Sequence, residues 1–175
     1  MEQMSYELHP HIYKVTDIGL SDAYGHADDA TELIVKPHCL PCRGSKLSHQ
    51  DVFIIDNGQY LTLLVGQSCP TDFLQDVFGV ATTQELEESE TLPAFVPIEG
   101  DRPDLLSALL EQIRYERSDG STLPTRVVLS ASQMAKPILA ESLIEDTVNA
   151  QLEFTYQDFL SMLHKRIRAG ATSKN

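Results

Sequence analysis

Positive charge is what this sequence has least of. Thirteen Lys and Arg stand against 26 Asp and Glu in 175 residues, a formal charge of −13. A domain so charged repels polyphosphate, which sets nucleic-acid binding aside. Its one basic cluster, His164-Lys165-Arg166 with Arg168, ends an expected helix, where cations complement the helix dipole. Long apolar runs are also missing. The longest near-apolar stretch, 60–65, has six residues, against the roughly 20 that cross a bilayer. Residues 1–10 have neither the basic head nor the apolar middle of a signal peptide. The expected setting is therefore the cytosol or the nucleus, with membrane surfaces reached only through a partner or through a segment outside this chain. Cysteine is scarce too: three residues, an odd number, point to reduced thiols rather than a disulfide framework. What is present is 42% hydrophobic residues in a length that buries roughly 70% of its unfolded surface, as an ordinary globular domain does.

Periodicity gives the elements. Residues 12–16 (IYKVT) and 32–36 (ELIVK) are short, β-branched and partly alternating, and are expected strands. The polar 21–31 segment between them and the proline-bearing 37–50 segment are expected to be irregular. Residues 52–55 (VFII) and 60–65 (YLTLLV) are apolar on successive positions, with Asn57-Gly58 between them to turn a hairpin. Strands apolar on both faces imply layers on both sides of the sheet. Phe73, Leu74, Val77 and Phe78 mark one face of a helix over 70–78 that Gly79 stops. A second helix, capped by Asp101 with Pro103 in its first turn, carries Leu105, Leu106, Leu109, Leu110 and Ile113. Residues 125–130 read as a strand and 137–144 as a helix with Pro137 near its start. A last helix over 155–167 opens on Thr155 and Asp158 and carries Phe159, Leu160, Leu163 and Ile167. The acidic 82–90 stretch is expected to be a surface connection. The pattern is that of one α/β domain.

Catalytic chemistry finds little footing. His38, Cys39, Cys42 and His49 have the donor types of a tetrahedral zinc site, but His38 adjoins Cys39 and there is no second Cys-x-x-Cys pair. The expectation is two ordinary cysteines. Cys69, just before a helix start, sits where a dipole can lower a thiol pKa, although buried structural thiols are commoner. Ser68 lacks a nucleophile-elbow motif, and Gly44-Ser45-Lys46 lacks the upstream glycine of a P-loop. Glu87-Glu88 and Glu145-Asp146 are adjacent acids of the kind that face water. Asp56 lies in no calcium-loop pattern. No catalytic, cofactor-binding or metal-ligating residue is assigned, no cofactor is expected, and the sequence singles out no partner-binding residue.

Three stretches carry a resemblance. His9-Pro10-His11-Ile12-Tyr13-Lys14-Val15 resembles a Tyr-Pro-x-hydrophobic-Tyr segment, with His9 in place of the tyrosine. Residues 53–79 resemble a signature of apolar strand, Asp-x-Gly turn, apolar strand ending in Gly66, and Phe-bearing helix. Leu143-Ile144-Glu145-Asp146, followed by Tyr156, Phe159, Leu160, Leu163 and His164, is similar to a closing Leu-hydrophobic-Glu-Asp and Tyr-x-x-Phe-Leu pattern. In this order they are similar to the carboxy-terminal region of the COPII vesicle-coat cargo adaptors, the Sec-twenty-four type. The resemblance runs from about His9 to Ile167, and residues 19–40 fit it poorly.

It implies a gelsolin-like fold, a central mixed β-sheet of about five strands sandwiched between α-helices, over residues 9–168. Residues 1–8 would form a flexible leader and 169–175 a flexible tail. It also implies a non-enzymatic part of an inner-coat subunit, supporting coat assembly and cargo selection in transport from the endoplasmic reticulum to the Golgi. The implied partners are the sister inner-coat subunit, other domains of the same adaptor, and cargo or SNARE proteins through the full-length subunit. The implied location is cytoplasmic, peripheral on endoplasmic reticulum exit sites and coated vesicles. The family's zinc ribbon has two Cys-x-x-Cys pairs far upstream, so Cys39 and Cys42 inherit no zinc role. A calcium-regulated actin-binding domain of the gelsolin type is the alternative, since a shared fold does not fix function.

Overall fold

The computed structural model describes residues 10–20, 24, 26, 33–89, 92, 94–116 and 123–143. The expected leader, tail and last helix, and the Glu145-Asp146 pair, lie outside them. Five strands form one sheet: β1 (His11–Lys14), β2 (Cys39–Leu40), β3 (Val52–Asp56), β4 (Leu61–Val65) and β5 (Thr125–Leu129). Their order is β2-β1-β3-β4-β5, antiparallel except for the parallel β4–β5 pair. Around it stand α1 (Thr71–Phe78), α2 (Thr83–Glu87), α3 (Asp101–Tyr115) and α4 (Ala135–Ser142).

The doubly apolar hairpin is the centre of the molecule, and all ten residues of β3 and β4 are buried. Alternation sorts them onto two faces. Val52, Ile54, Leu61, Leu63 and Val65 join Phe73, Leu74 and Val77 of α1, Leu86 of α2 and Leu106, Leu109, Leu110 and Ile113 of α3. Phe53, Ile55 and Leu64 turn the other way, onto Ala135 and Ile138 of α4 and Cys42. The mixed sheet between helical layers is the expected fold. The link between the strands is wider than a two-residue turn. Gly58 has a positive φ, 84°, and the Asn57 side-chain oxygen accepts from the N–H groups of Gln59 and Tyr60. Asn57 helps build the turn with its side chain.

Four expectations are corrected. Residues 33–36 form no continuous strand, only an isolated bridge at Ile34. Ile34 is instead clamped by one side chain, its N–H donating to Gln112 Oε1 at 2.7 Å and its carbonyl accepting from Gln112 Nε2 at 3.1 Å. The edge strand beyond β1 is Cys39–Leu40, inside the segment read as irregular, with Leu40 opposite Ile12 and Cys39 opposite Tyr13. The acidic 82–90 stretch contains α2. Its Thr82 hydroxyl accepts from the Glu85 N–H at 3.1 Å, while the Glu85 carboxylate accepts from the Ala81 N–H at 2.9 Å. This reciprocal capping and the burial of Leu86 outweigh the acidic composition. The cap of α3 is Gly100 rather than Asp101, which is the first helical residue. Pro137 is the third residue of α4, where no intrahelical donor is lost.

Candidate functional site

The chemically suggestive residues do not converge. Cys39 is exposed on β2, whereas Cys42 is buried and its Sγ–H donates to the Pro10 carbonyl at 3.0 Å. Gly44-Ser45-Lys46 forms one 3₁₀ turn, not a phosphate cradle. Asp56 is buried, and its Oδ1 accepts from the Gly58 N–H, a turn-building role. Glu88 closes α2. Burial pushes the Cys69 thiol up to about 12, with the carboxylate of Asp72 acting in the same direction and Arg102 opposing it. Desolvation therefore outweighs any pull from the start of α1, and Cys69 is a core thiol. Among the described residues no three His, Cys, Asp or Glu side chains come close enough to hold a metal. Nor is any described helix long and apolar enough to cross a membrane.

What the fold builds instead is a groove of about 490 Å³ where the 18–20 turn, α1 and the start of α3 meet. Its apolar surface is Ile18, Leu20, Ile98 and Leu105, and its polar rim carries Asp76, Glu99 and Asp101. Leu20 is 68% exposed and Ile98 39%, so both remain open to solvent. Gly19 makes the turn possible in two ways. Its φ is 75°, and a Cβ there would stand 3.1 Å from Leu105 Cδ1. A groove of about 520 Å³ beside α2 is bounded by Gln67, Thr83, Gln84, Glu87, Glu88, Leu129 and Ala131.

Arg102 fixes this corner, although only 8% of it is exposed. Its Nε donates to the Ile18 carbonyl at 3.2 Å and one terminal nitrogen donates to the Thr16 carbonyl at 2.9 Å. The other terminal nitrogen reaches Asp72 at 3.2 Å and Asp76 at 3.0 Å on α1. The guanidinium also lies 5.0 Å from the centre of the Phe73 ring. One side chain thereby ties the turn, α1 and α3 together and has its charge answered within the fold. Sequence reading passed over it. The available signal was an arginine in the first turn of a helix, where the dipole favours acids.

Comparison with known proteins fits this architecture. A family model described as a gelsolin repeat matches residues 34–104, from before β2 into α3. The chain is 30% identical over 165 residues to "Protein transport protein SEC24" of Yarrowia lipolytica, covering 93% of this chain and 17% of that protein. It is 28% identical over 160 residues to "Protein transport protein Sec24A" of Mus musculus, covering 91% of this chain and 14% of that one. It therefore spans about a sixth of the length of these relatives. Among solved structures, the human COPII-coat protein Sec24c superposes with a TM-score of 0.73 over 95% of this chain and 20% of that one, at 20% identity. The resemblance to the Sec24 type read from the sequence holds across nearly the whole chain, and the gelsolin-like fold it implied is the fold observed.

Proposed function

We propose that this domain is the gelsolin-like part of a COPII coat adaptor subunit and acts by protein contact rather than by catalysis. The observation that carries the reading is similarity to Sec24 transport proteins over 91–93% of the chain. The gelsolin-repeat match taken by itself fits an actin-binding domain equally well. The named relatives, which are transport proteins, favour the coat reading. On this reading residues 9–168 form the working unit and need no cofactor. The sister inner-coat subunit and other domains of the adaptor are the partners, and cargo or SNARE proteins are reached through the full-length subunit. The domain works in the cytoplasm, held peripherally at endoplasmic reticulum exit sites by the assembled coat.

The test is co-purification of the full chain with the remainder of a Sec24-type adaptor and with the sister inner-coat subunit, beside actin-filament sedimentation with and without calcium. Association with either coat component and no pelleting with filaments is the expected result. Pelleting with actin, or failure to associate with both coat components, overturns the reading.

A further inference from the structure

The groove at the start of α3 has a chemistry that selects a partner. Its apolar surface is exposed, with Leu20 and Ile98 facing solvent above buried Ile18. Its rim is acidic. Glu99 and Asp101 pair with no described cation, and the one cation of the groove, Arg102, is committed to Thr16, Ile18, Asp72 and Asp76 beneath the surface. A ligand thus meets carboxylates and aliphatic carbon and no available positive charge. A second copy of a chain with formal charge −13 is a poor complement to such a rim.

We propose that this groove docks an extended basic segment of a partner protein, seating an aliphatic side chain over Ile98 and Leu20 and a Lys or Arg against Glu99 and Asp101. The volume, about 490 Å³, lies in the range of specific small pockets and holds one or two side chains rather than a domain. Because Arg102 holds the three walls together, the groove is formed before the ligand arrives and little ordering cost falls on binding. The aliphatic contact supplies the affinity and the acidic rim selects sign and speeds encounter. The inference rests on reading the domain as a protein-contact module and adds the chemistry of one partner.

Fluorescence anisotropy with the whole chain tests it, using three labelled decapeptides: alternating Leu and Lys, alternating Leu and Glu, and alternating Ser and Lys. The Leu/Lys peptide binds saturably, and the other two bind at least about tenfold more weakly, the difference made by one buried aliphatic contact or a reversed charge pattern. Ile98→Ser and Glu99→Lys each weaken the Leu/Lys peptide about tenfold, while Tyr115→Ser, at a remote exposed position, leaves it unchanged. Thermal melts confirm that each variant is folded. Equal binding of the Leu/Glu peptide, or affinity indifferent to both groove variants, overturns the proposal. So does concentration-dependent self-association abolished by Ile98→Ser, which would assign the groove to a second copy. The peptide assay and coat co-purification fail independently. Loss of peptide binding with coat association intact removes the groove's role and leaves the function standing.

Discussion

Replacing Arg102 with methionine separates two explanations of how this corner is held. The substitution keeps most of the aliphatic stem and removes every donor. Three consequences differ in size. The carbonyls of Thr16 and Ile18 lose their guanidinium partners at 2.9 and 3.2 Å in a buried setting. A buried acceptor left without a donor costs roughly 1–3 kcal/mol, so the pair amounts to about 2–4 kcal/mol allowing for partial relaxation. The ion pairs weigh less, because Asp72 and Asp76 are 60% and 53% exposed and solvent screens them. Such pairs contribute about 0–1 kcal/mol. The contact with Phe73 adds roughly another 0.5–1 kcal/mol.

Arg102→Met should therefore destabilise by about 3–5 kcal/mol. A domain of this size then melts roughly 6–20 °C lower. The double variant Asp72→Asn, Asp76→Asn should lose less than about 1 kcal/mol. Urea unfolding followed by circular dichroism measures both, and adding about 0.5 M NaCl tests screening directly. The reasoning is refuted if the carboxylate double variant costs as much as Arg102→Met, or if salt alone reproduces the loss. Either result would make charge rather than carbonyl satisfaction the source.

Gly66→Ala places a Cβ 2.3 Å from the His49 carbonyl oxygen and 2.7 Å from that of Asp51, both backbone atoms that accept from Ser68 and Gly66. A loss of about 1–3 kcal/mol in urea unfolding is expected, and an unchanged midpoint would show that the 49–51 segment yields freely. Cys39 should react with a thiol reagent at about pH 8 while Cys69 stays protected until urea is added. Fast native labelling of Cys69 contradicts its raised pKa. A thiol held neutral stabilises the fold fully below its unfolded value of 9.0 and loses that contribution as pH climbs toward about 12. Cys69→Ala should accordingly flatten the stability profile in that alkaline window, which pH-dependent urea unfolding measures. Gln112→Ala removes both bonds to Ile34 and should speed exchange of the Ile34 N–H at least about tenfold by hydrogen-exchange NMR, with the sheet amides unaffected.

The elements legible in the sequence are those whose signal is local. Consecutive apolar residues in β3 and β4 announce burial on both faces, and the stripes of α1 and α3 fix their inward sides. The misread elements take their definition from distant partners or from a short cue. Ile34 looks like a strand residue because it is β-branched and flanked by apolar neighbours. The groups that satisfy its backbone belong to Gln112, 78 positions away, and no local pattern announces that. The two-residue β2 is shorter than any alternation can reveal, and its existence depends on the edge offered by β1. In α2 the cue was present, Thr82 and Glu85 at capping-box spacing, but one buried leucine in five residues left no stripe. The groove was invisible for a stronger reason. It joins residues 18–20 to 98–105, and each segment alone reads as ordinary loop or helix start.

That separation gives the groove its character. Arg102 reaches backbone carbonyls 84 and 86 positions earlier, so the geometry of the exposed surface is set by a buried polar anchor rather than by apolar packing. Two donors aimed at two carbonyls fix direction as well as distance, which an aliphatic contact does not. The acids on and beside the rim follow from the same arrangement. Asp72 and Asp76 approach the guanidinium from α1, and Asp101 and Asp104 occupy the first turn of α3, where the helix dipole favours them. Negative charge therefore accumulates around the groove for reasons of local stability, and its effect on a ligand comes in addition. A variant can be built to divide these roles. Glu99 lies just before α3, makes no described ion pair and lines the groove, so its charge is separable from the fold. If Glu99→Lys alters ligand choice while leaving the melting temperature in place, recognition and stability are independent in this corner. If it lowers both, the acidic rim belongs to the fold first.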